Sequence, residues 1–245
     1  MSKIQLKTFK PYQIGSDQPQ QTVIFVQGFG VKSDSKGLFT DLADYFHASQ
    51  ITSFIFHLSD YDQFGNSYFL PLNKQQERLI NIYNYVLQRF PDQPLTIIGH
   101  SLGSGVLSSL MLNVKANKYI ILAPTMDSPG PKIKSALIKH RQAQVDGQKI
   151  SFKRKNGVTS TFSQEYVDQF DIKFSQIYQQ VWPKIKDLQI IIPDQDLPRY
   201  DENLLNFFQT FQPVIMPDCD HNFSDQNRQK LAVTILQFLR TYQET

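Results

Sequence analysis

Between residues 95 and 103 the chain reads Leu95-Thr96-Ile97-Ile98-Gly99-His100-Ser101-Leu102-Gly103. A β-branched and aliphatic run bounded by glycine has the pattern of a strand. From Ser104 to Leu112, the apolar residues Val106, Leu107, Leu110 and Met111 recur at helical spacing. A strand that breaks into Gly-x-Ser-x-Gly and runs into a helix places its serine on a sharp turn. The neighbours of such a serine need almost no side chain, and the strained backbone lifts the hydroxyl above the sheet. Ser101 therefore reads as a nucleophile. Gly99, His100 and Gly103 form its elbow, and the rest of the chain must supply its partners.

The surrounding pattern alternates strands and helices. Lys3 to Phe9 alternates like a half-exposed edge strand, Tyr12 to Gln21 reads as a loop, and Thr22 to Gln27 as a strand buried on both faces. A helix is expected over about Gly37 to Ser49, with Leu38, Leu42, Tyr45 and Phe46 on its apolar face. The strand Thr52 to Leu58, a loop from Ser59 to Pro71 and a long helix from about Lys74 to Phe90 follow, with Pro91 and Pro94 ending the helix. After the elbow come the strand Lys118 to Ala123, the strand Leu188 to Pro193, a helix Glu202 to Phe211, the strand Pro213 to Met216 and a last helix from Ser224 to Tyr242. This rhythm predicts an α/β fold, a doubly wound, mostly parallel sheet with helices on both faces.

The rhythm lapses between Pro124 and about Asp187. That segment reads as a small cap insert within one domain spanning residues 1–245: a basic helix over Lys132 to Gln144, a hairpin with strands Lys149 to Arg154 and Val158 to Phe162 turning at Asn156-Gly157, and short helices Ser163 to Phe170 and Phe174 to Val181. Lys132 to Lys155 carries a local charge of +7, while the whole chain is only +3. A transient contact with an anionic membrane surface through 132–155 is one reading of it, and a solvated face is the other. No recognisable nucleic-acid module accompanies the basic residues. Tyr166, Phe170, Phe174, Tyr178 and Trp182, with Phe64, Tyr68 and Phe69, are candidates to line an apolar pocket or to pack the cap onto the sheet.

A serine hydroxyl needs a neutral imidazole to take its proton and a carboxylate to orient that imidazole. Of the five histidines, His221 lies directly after the last strand, in Asp218-Cys219-Asp220-His221-Asn222-Phe223, where a side chain reaches over the carboxyl edge of the sheet. The acid is expected after the preceding strand, where Asp196 is preferred to Asp194 because it has more room to turn back towards His221. Two backbone N–H groups would hold the developing oxyanion. Leu102, at a helix N-terminus, supplies one, and Phe29, in Gly28-Phe29-Gly30, the other. The single cysteine, Cys219, excludes an internal disulfide and a multi-cysteine metal site. No cofactor or metal is expected. With neither a signal-like apolar segment nor a membrane-length run, a cytoplasmic protein is the expectation.

In the order Ser101, Asp196, His221, with the elbow, the acid loop Pro193-Asp194-Gln195-Asp196 and the base loop Asp220-His221-Asn222-Phe223, the chain resembles the α/β-hydrolase superfamily from about Thr22 to its C-terminus. It is most similar to small bacterial carboxylesterases of the cinnamoyl-esterase and monoacylglycerol-lipase-like groups. Gln27-Gly28 stands where His-Gly is common, and Pro193 where glycine is usual. The resemblance implies a serine hydrolase acting on a small-molecule ester. Thioesterases, acyltransferases and non-catalytic binding proteins of the same fold are the alternatives.

Overall fold

The computed structural model describes residues 11–29, 34–62, 64–127, 130–154 and 157–240. The strand expected over Lys3 to Phe9, the expected helix end at Tyr242, and Gly30 of the expected oxyanion turn lie outside them. In chain order the elements are β1 (Tyr12–Ile14), β2 (Gln21–Val26), α1 (Leu38–His47), β3 (Ile51–Ile55), β4 (Ser59–Tyr61), β5 (Ser67–Phe69), α2 (Leu72–Arg89), β6 (Leu95–His100), α3 (Leu102–Ser108) and β7 (Lys118–Leu122). Then come α4 (Gly130–Arg141), β8 (Gln144–Asp146), β9 (Lys149–Lys153), β10 (Thr159–Ser163), α5 (Gln164–Asp168), α6 (Phe174–Val181), β11 (Leu188–Pro193), α7 (Glu202–Gln209), β12 (Val214–Met216) and α8 (Gln226–Arg240).

Seven strands form the main sheet in the order β1-β3-β2-β6-β7-β11-β12. Only β1 pairs antiparallel, with β3; the other pairings are parallel. Every residue of β3, β6 and β7 is buried, which explains why these strands read as apolar runs rather than as alternations. Apolar side chains pack on both faces. Ile24, Phe54 and Ile97 meet α2 and α3 on one, while Val23, Phe25 and Ile98 meet α1 and α8 on the other. The parallel pairing of β2, β6, β7, β11 and β12 turns all their carboxyl ends to one edge. Ser101 follows β6 there, Asp196 follows β11 and His221 follows β12. At the opposite edge, the buried Lys118 sends its ammonium to the carbonyls of Phe238 and Leu239, where the α8 dipole is negative.

Several boundaries depart from the sequence expectation. The supposed loop Tyr12 to Gln21 begins with β1, and the supposed loop Ser59 to Pro71 contains β4 and β5. Tyr45 is exposed; Phe39 and Ala43 complete the buried face of α1 in its place. The helix behind the elbow begins at Leu102, two residues before the apolar periodicity becomes visible.

Residues of the expected insert form a second, five-stranded sheet, β4-β5-β10-β9-β8, with β4 and β5 donated from the earlier loop. Phe69 of β5 is register-paired with Phe162 of β10. The hairpin closes through Arg154 N–H to Val158 C=O at 2.8 Å; of its predicted turn pair, Asn156 lies outside the described residues and Gly157 takes φ 86°. Lys139, Arg141, Lys149 and Lys153 of this basic segment are exposed. Among the described residues, no helix is long and apolar enough to cross a membrane.

Candidate active site

Ser101 sits between β6 and α3 with φ 54° and ψ −124°, a region where side chains are rarely found. The geometry around it is tolerable because its neighbours are bare. A Cβ on Gly103 would lie 2.1 Å from the Val26 carbonyl oxygen, so α3 can approach β2 only with glycine there. A Cβ on Gly28 would lie 3.0 Å from the Ser101 Cβ, which brings the turn after β2 against the nucleophile candidate. The buried Ser104 holds the elbow from behind. Its hydroxyl donates to the Ser101 carbonyl at 2.5 Å and accepts from Thr125 N–H at 3.0 Å, tying the turn to the end of β7.

The three side chains chosen from separate loops lie in one line. His221 Nε2 is 2.9 Å from Ser101 Oγ, and His221 Nδ1 is 2.5 Å from Asp196 Oδ2. With Nδ1 protonated and donating to Asp196, Nε2 is left as an acceptor for the serine proton. Asp196 is buried whereas the imidazole is partly open to solvent, an arrangement that supports the ring from below and leaves its working edge accessible. Burial tends to raise the Asp196 carboxyl, but hydrogen bonds from His221 and Arg199 outweigh it and hold its pKa below the ordinary carboxylate value.

Asp194 is used differently. Its carboxylate accepts the backbone N–H groups of Cys219 and Asp218, both at 2.9 Å, and these bonds lower its pKa. It fixes the start of the loop that carries His221. Asp220 accepts Ser224 N–H and Ser224 Oγ–H, both at 2.8 Å, fixing the loop's other end ahead of α8. The Asp220 carboxylate thus braces the loop that carries His221, to which Asp218 contributes through its backbone N–H and carbonyl.

His100 is almost fully buried. Its Nε2–H donates to the His221 carbonyl at 2.9 Å, and its Nδ1 has no hydrogen-bond partner among the described residues. Desolvation, reinforced by nearby His221, pushes its pKa down to about 4, so at neutral pH the ring is an uncharged strut between the elbow and the base loop.

Leu102 is the first residue of α3, where backbone N–H groups have no intrahelical acceptor. Phe29 follows Gly28, and its partly buried ring packs against the larger core. Gln27, in the place where histidine is common, is buried; its Oε1 accepts Leu58 N–H at 3.4 Å, and its side chain also bonds Tyr61. The departure from the usual residue thus leaves the turn anchored. The cap aromatics divide in favour of packing. Tyr166, Phe174, Tyr178 and Trp182 are fully buried, and nothing is described of the Phe170 side chain. Trp182 Nε1–H donates to Ser108 Oγ at 2.9 Å, while Tyr178 O–H donates to the Thr125 carbonyl at 3.0 Å, pinning the cap to α3 and the end of β7. Phe64 and Tyr68 retain exposure.

Two contributors escaped the sequence reading. Arg199 donates from Nη1 to Asp196 Oδ1 at 2.8 Å; its i+3 spacing from Asp196 was the available signal, and it depends on a tight helical turn after β11. The Ser104 clamp gives no sequence signal beyond a small polar residue one turn into the helix. Among the described residues no cluster of His, Cys, Asp or Glu is arranged to hold a metal ion.

A scan against models of known protein families finds no match, and a search of curated proteins finds no relative. Solved structures do resemble the chain. An α/β hydrolase, GrgF from Penicillium sp. sh18, superposes with a TM-score of 0.67 at 16% identity, over 94% of this chain and 93% of its own. Est1E from Butyrivibrio proteoclasticus, with ferulic acid bound, gives 0.66 at 16% identity over 96% of both chains. A thermophilic esterase from Thermogutta terrifontis gives 0.64 at 11% identity, over 95% of this chain and 93% of its own. Taken with the strand order and the strained serine turn between β6 and α3, these likenesses show that the chain has the α/β-hydrolase fold.

Proposed function

We propose that this protein is a serine hydrolase that cleaves carboxylic esters of small or medium acyl groups through an acyl-enzyme intermediate. The observation that carries the reading is the unbroken relay from Ser101 Oγ to His221 Nε2 at 2.9 Å and from His221 Nδ1 to Asp196 Oδ2 at 2.5 Å. A thermophilic esterase among the similar structures, and another similar structure that holds ferulic acid, support an ester as substrate.

In this reading Ser101 Oγ attacks the ester carbonyl carbon as its proton passes to His221 Nε2. The carbonyl oxygen becomes negative and is held by the N–H groups of Leu102 and Phe29, with the positive end of the α3 dipole behind it. Collapse of the tetrahedral intermediate expels the alcohol, which takes the proton back from His221. Water, deprotonated by the same imidazole, then adds to the acyl carbon, and the second tetrahedral intermediate releases the acid as Ser101 Oγ leaves and takes the proton back from His221. Asp196 keeps the ring in the tautomer with Nδ1–H and stabilises the imidazolium during each transfer. Hydrolysis of p-nitrophenyl esters from acetate to octanoate tests the reading. The parent protein is expected to turn over the shorter esters, and Ser101→Ala to lose at least about 10³-fold in kcat. Equal hydrolysis by parent and variant would refute it.

A further inference from the structure

We propose that the second sheet positions the oxyanion donor, because the aromatic stack of Phe69, Phe162 and Tyr166 grips the Phe29 ring and so fixes the aim of the Phe29 N–H. The proposal rests on the serine-hydrolase reading and gives the cap a part in turnover.

The aim of a backbone N–H is set by whatever immobilises the residues around it. Gly28 has no side chain; its N–H donates to Ser35 Oγ at 3.5 Å, and the residues on its two sides hold the rest of the turn. On one side Gln27 is fastened to Leu58 N–H and to Tyr61. On the other side the only side chain available immediately after Gly28 is the ring of Phe29. That ring stacks on Phe69 at 6.2 Å between centroids and 14° between planes, and on Tyr166 at 6.0 Å and 29°. Its partners also hold one another. Phe69 lies 5.7 Å from Phe162 and 5.6 Å from Tyr166, the Phe162–Tyr166 distance is 5.5 Å, and Phe152 adds a further contact to Phe162 at 6.0 Å.

These rings come from β5, β9, β10 and α5, joined by the parallel pairing of β5 with β10 and the antiparallel pairing of β10 with β9. The first turn of α5 is itself capped, by Ser163 Oγ accepting Tyr166 N–H at 3.1 Å. Phe162 and Tyr166 are each only 1% exposed, so neither can touch a substrate. Their effect on turnover is expected to pass through Phe29, which directly follows Gly28, where a Cβ would lie 3.0 Å from the Ser101 Cβ. Aromatic rings suit this task because they combine a large contact area with few rotatable bonds. Losing one oxyanion donor outright typically costs about 10²- to 10³-fold in kcat, so partial misalignment should cost about tenfold.

The test compares Tyr166→Leu, Phe162→Leu and the conservative Tyr166→Phe with the parent, each checked for folding by its thermal melt. Three quantities are read: kcat and KM for p-nitrophenyl acetate, whose acyl group is the smallest of the series; inhibition by an alkyl trifluoromethyl ketone, whose hemiketal oxygen needs the oxyanion donors; and hydrogen exchange at the Phe29 amide. Both leucine variants are expected to lose about tenfold in kcat with KM within about twofold, to bind the ketone about tenfold more weakly, and to exchange the Phe29 amide faster. Tyr166→Phe should match the parent in all three.

Unchanged kcat and ketone affinity in folded leucine variants would overturn the proposal, as would a rise in KM at constant kcat. So would an equal loss in Tyr166→Phe, since that would assign the effect to the hydroxyl and not the stack. If the parent shows no Ser101-dependent turnover, it is the serine-hydrolase reading that fails. The Phe29 exchange rates then decide alone whether the cap holds the turn, with unchanged exchange in the leucine variants counting against it.

Discussion

Arg199 Nη1 lies 2.8 Å from Oδ1 of Asp196, the carboxylate oxygen that His221 does not use. The acid of the proposed triad is therefore held on both oxygens, by the imidazole on one and by a guanidinium from its own helical turn on the other. The same nitrogen comes within 3.2 Å of His221 Nδ1. With Nδ1–H donating to Asp196, this close approach is between two donors that bond the two oxygens of one carboxylate, not a hydrogen bond between them.

Replacing Arg199 by methionine should free Asp196 to rotate and loosen its grip on the ring. Because the guanidinium is about half exposed (47%), its contribution is discounted for solvent screening. The expected loss is about fivefold in kcat for a short p-nitrophenyl ester, equivalent to about 1 kcal/mol. Arg199→Lys, which keeps a cationic donor, should recover most of it. Equal losses in the two variants would show that the role belongs to the shape of arginine and not to its charge.

Asp194 and Asp196 are separated in sequence by one residue and are expected to separate in phenotype. Asp196→Asn should lower kcat by about 10³- to 10⁴-fold, because the amide favours the wrong imidazole tautomer. Asp194→Asn weakens the bonds to the Cys219 and Asp218 N–H groups, so it should lower the thermal midpoint and leave kcat within about threefold. Kinetics and melts of the two variants side by side check this, and the reverse pattern would exchange their roles.

His100 makes stability depend on pH. The unfolded chain protonates this ring below its ordinary value of 6.5, whereas in the folded protein, where burial is the main cause, protonation waits until about 4. Its contribution to stability is complete above pH 6.5 and is lost as pH falls towards 4, since only the unfolded state gains the proton in that window. The whole effect amounts to about 3 kcal/mol. His100→Gln retains an N–H for the His221 carbonyl but does not titrate. Urea unfolding at pH 7, 5.5 and 4.5 should show a flatter pH dependence for this variant, and parallel curves would contradict the assignment.

The parallel strands of the main sheet were legible because buried parallel strands leave long apolar runs, and the helices because α2, for example, repeats Leu79, Ile82 and Val86 on one face; the three-residue antiparallel β1 left no such run. The proposed catalytic residues were legible because chemistry in this kind of sheet gathers where strands end, and Ser101, Asp196 and His221 follow β6, β11 and β12. The second sheet was harder. β4, β5 and β8 are three residues each, too short to establish a period of two, and β5 finds its partner in β10 more than ninety residues away. For the same reason the cap aromatics could not be divided between pocket and packing. Composition shows that rings are present, but the burial of Tyr166, Tyr178 and Trp182 depends on tertiary contacts with α3, β5 and β10. Arg199 depends on local geometry in a similar way, because only a helical turn after β11 brings residue 199 back to the Asp196 carboxylate.

A nucleophilic Ser101 activated by His221 is captured covalently by a fluorophosphonate probe, and digestion of the treated, folded protein followed by mass spectrometry locates the adduct. One adduct is expected, on the peptide that carries Ser101, lost in Ser101→Ala and formed far more slowly in His221→Ala. Labelling that persists in Ser101→Ala, or a folded parent that takes up no probe, would remove Ser101 as the nucleophile.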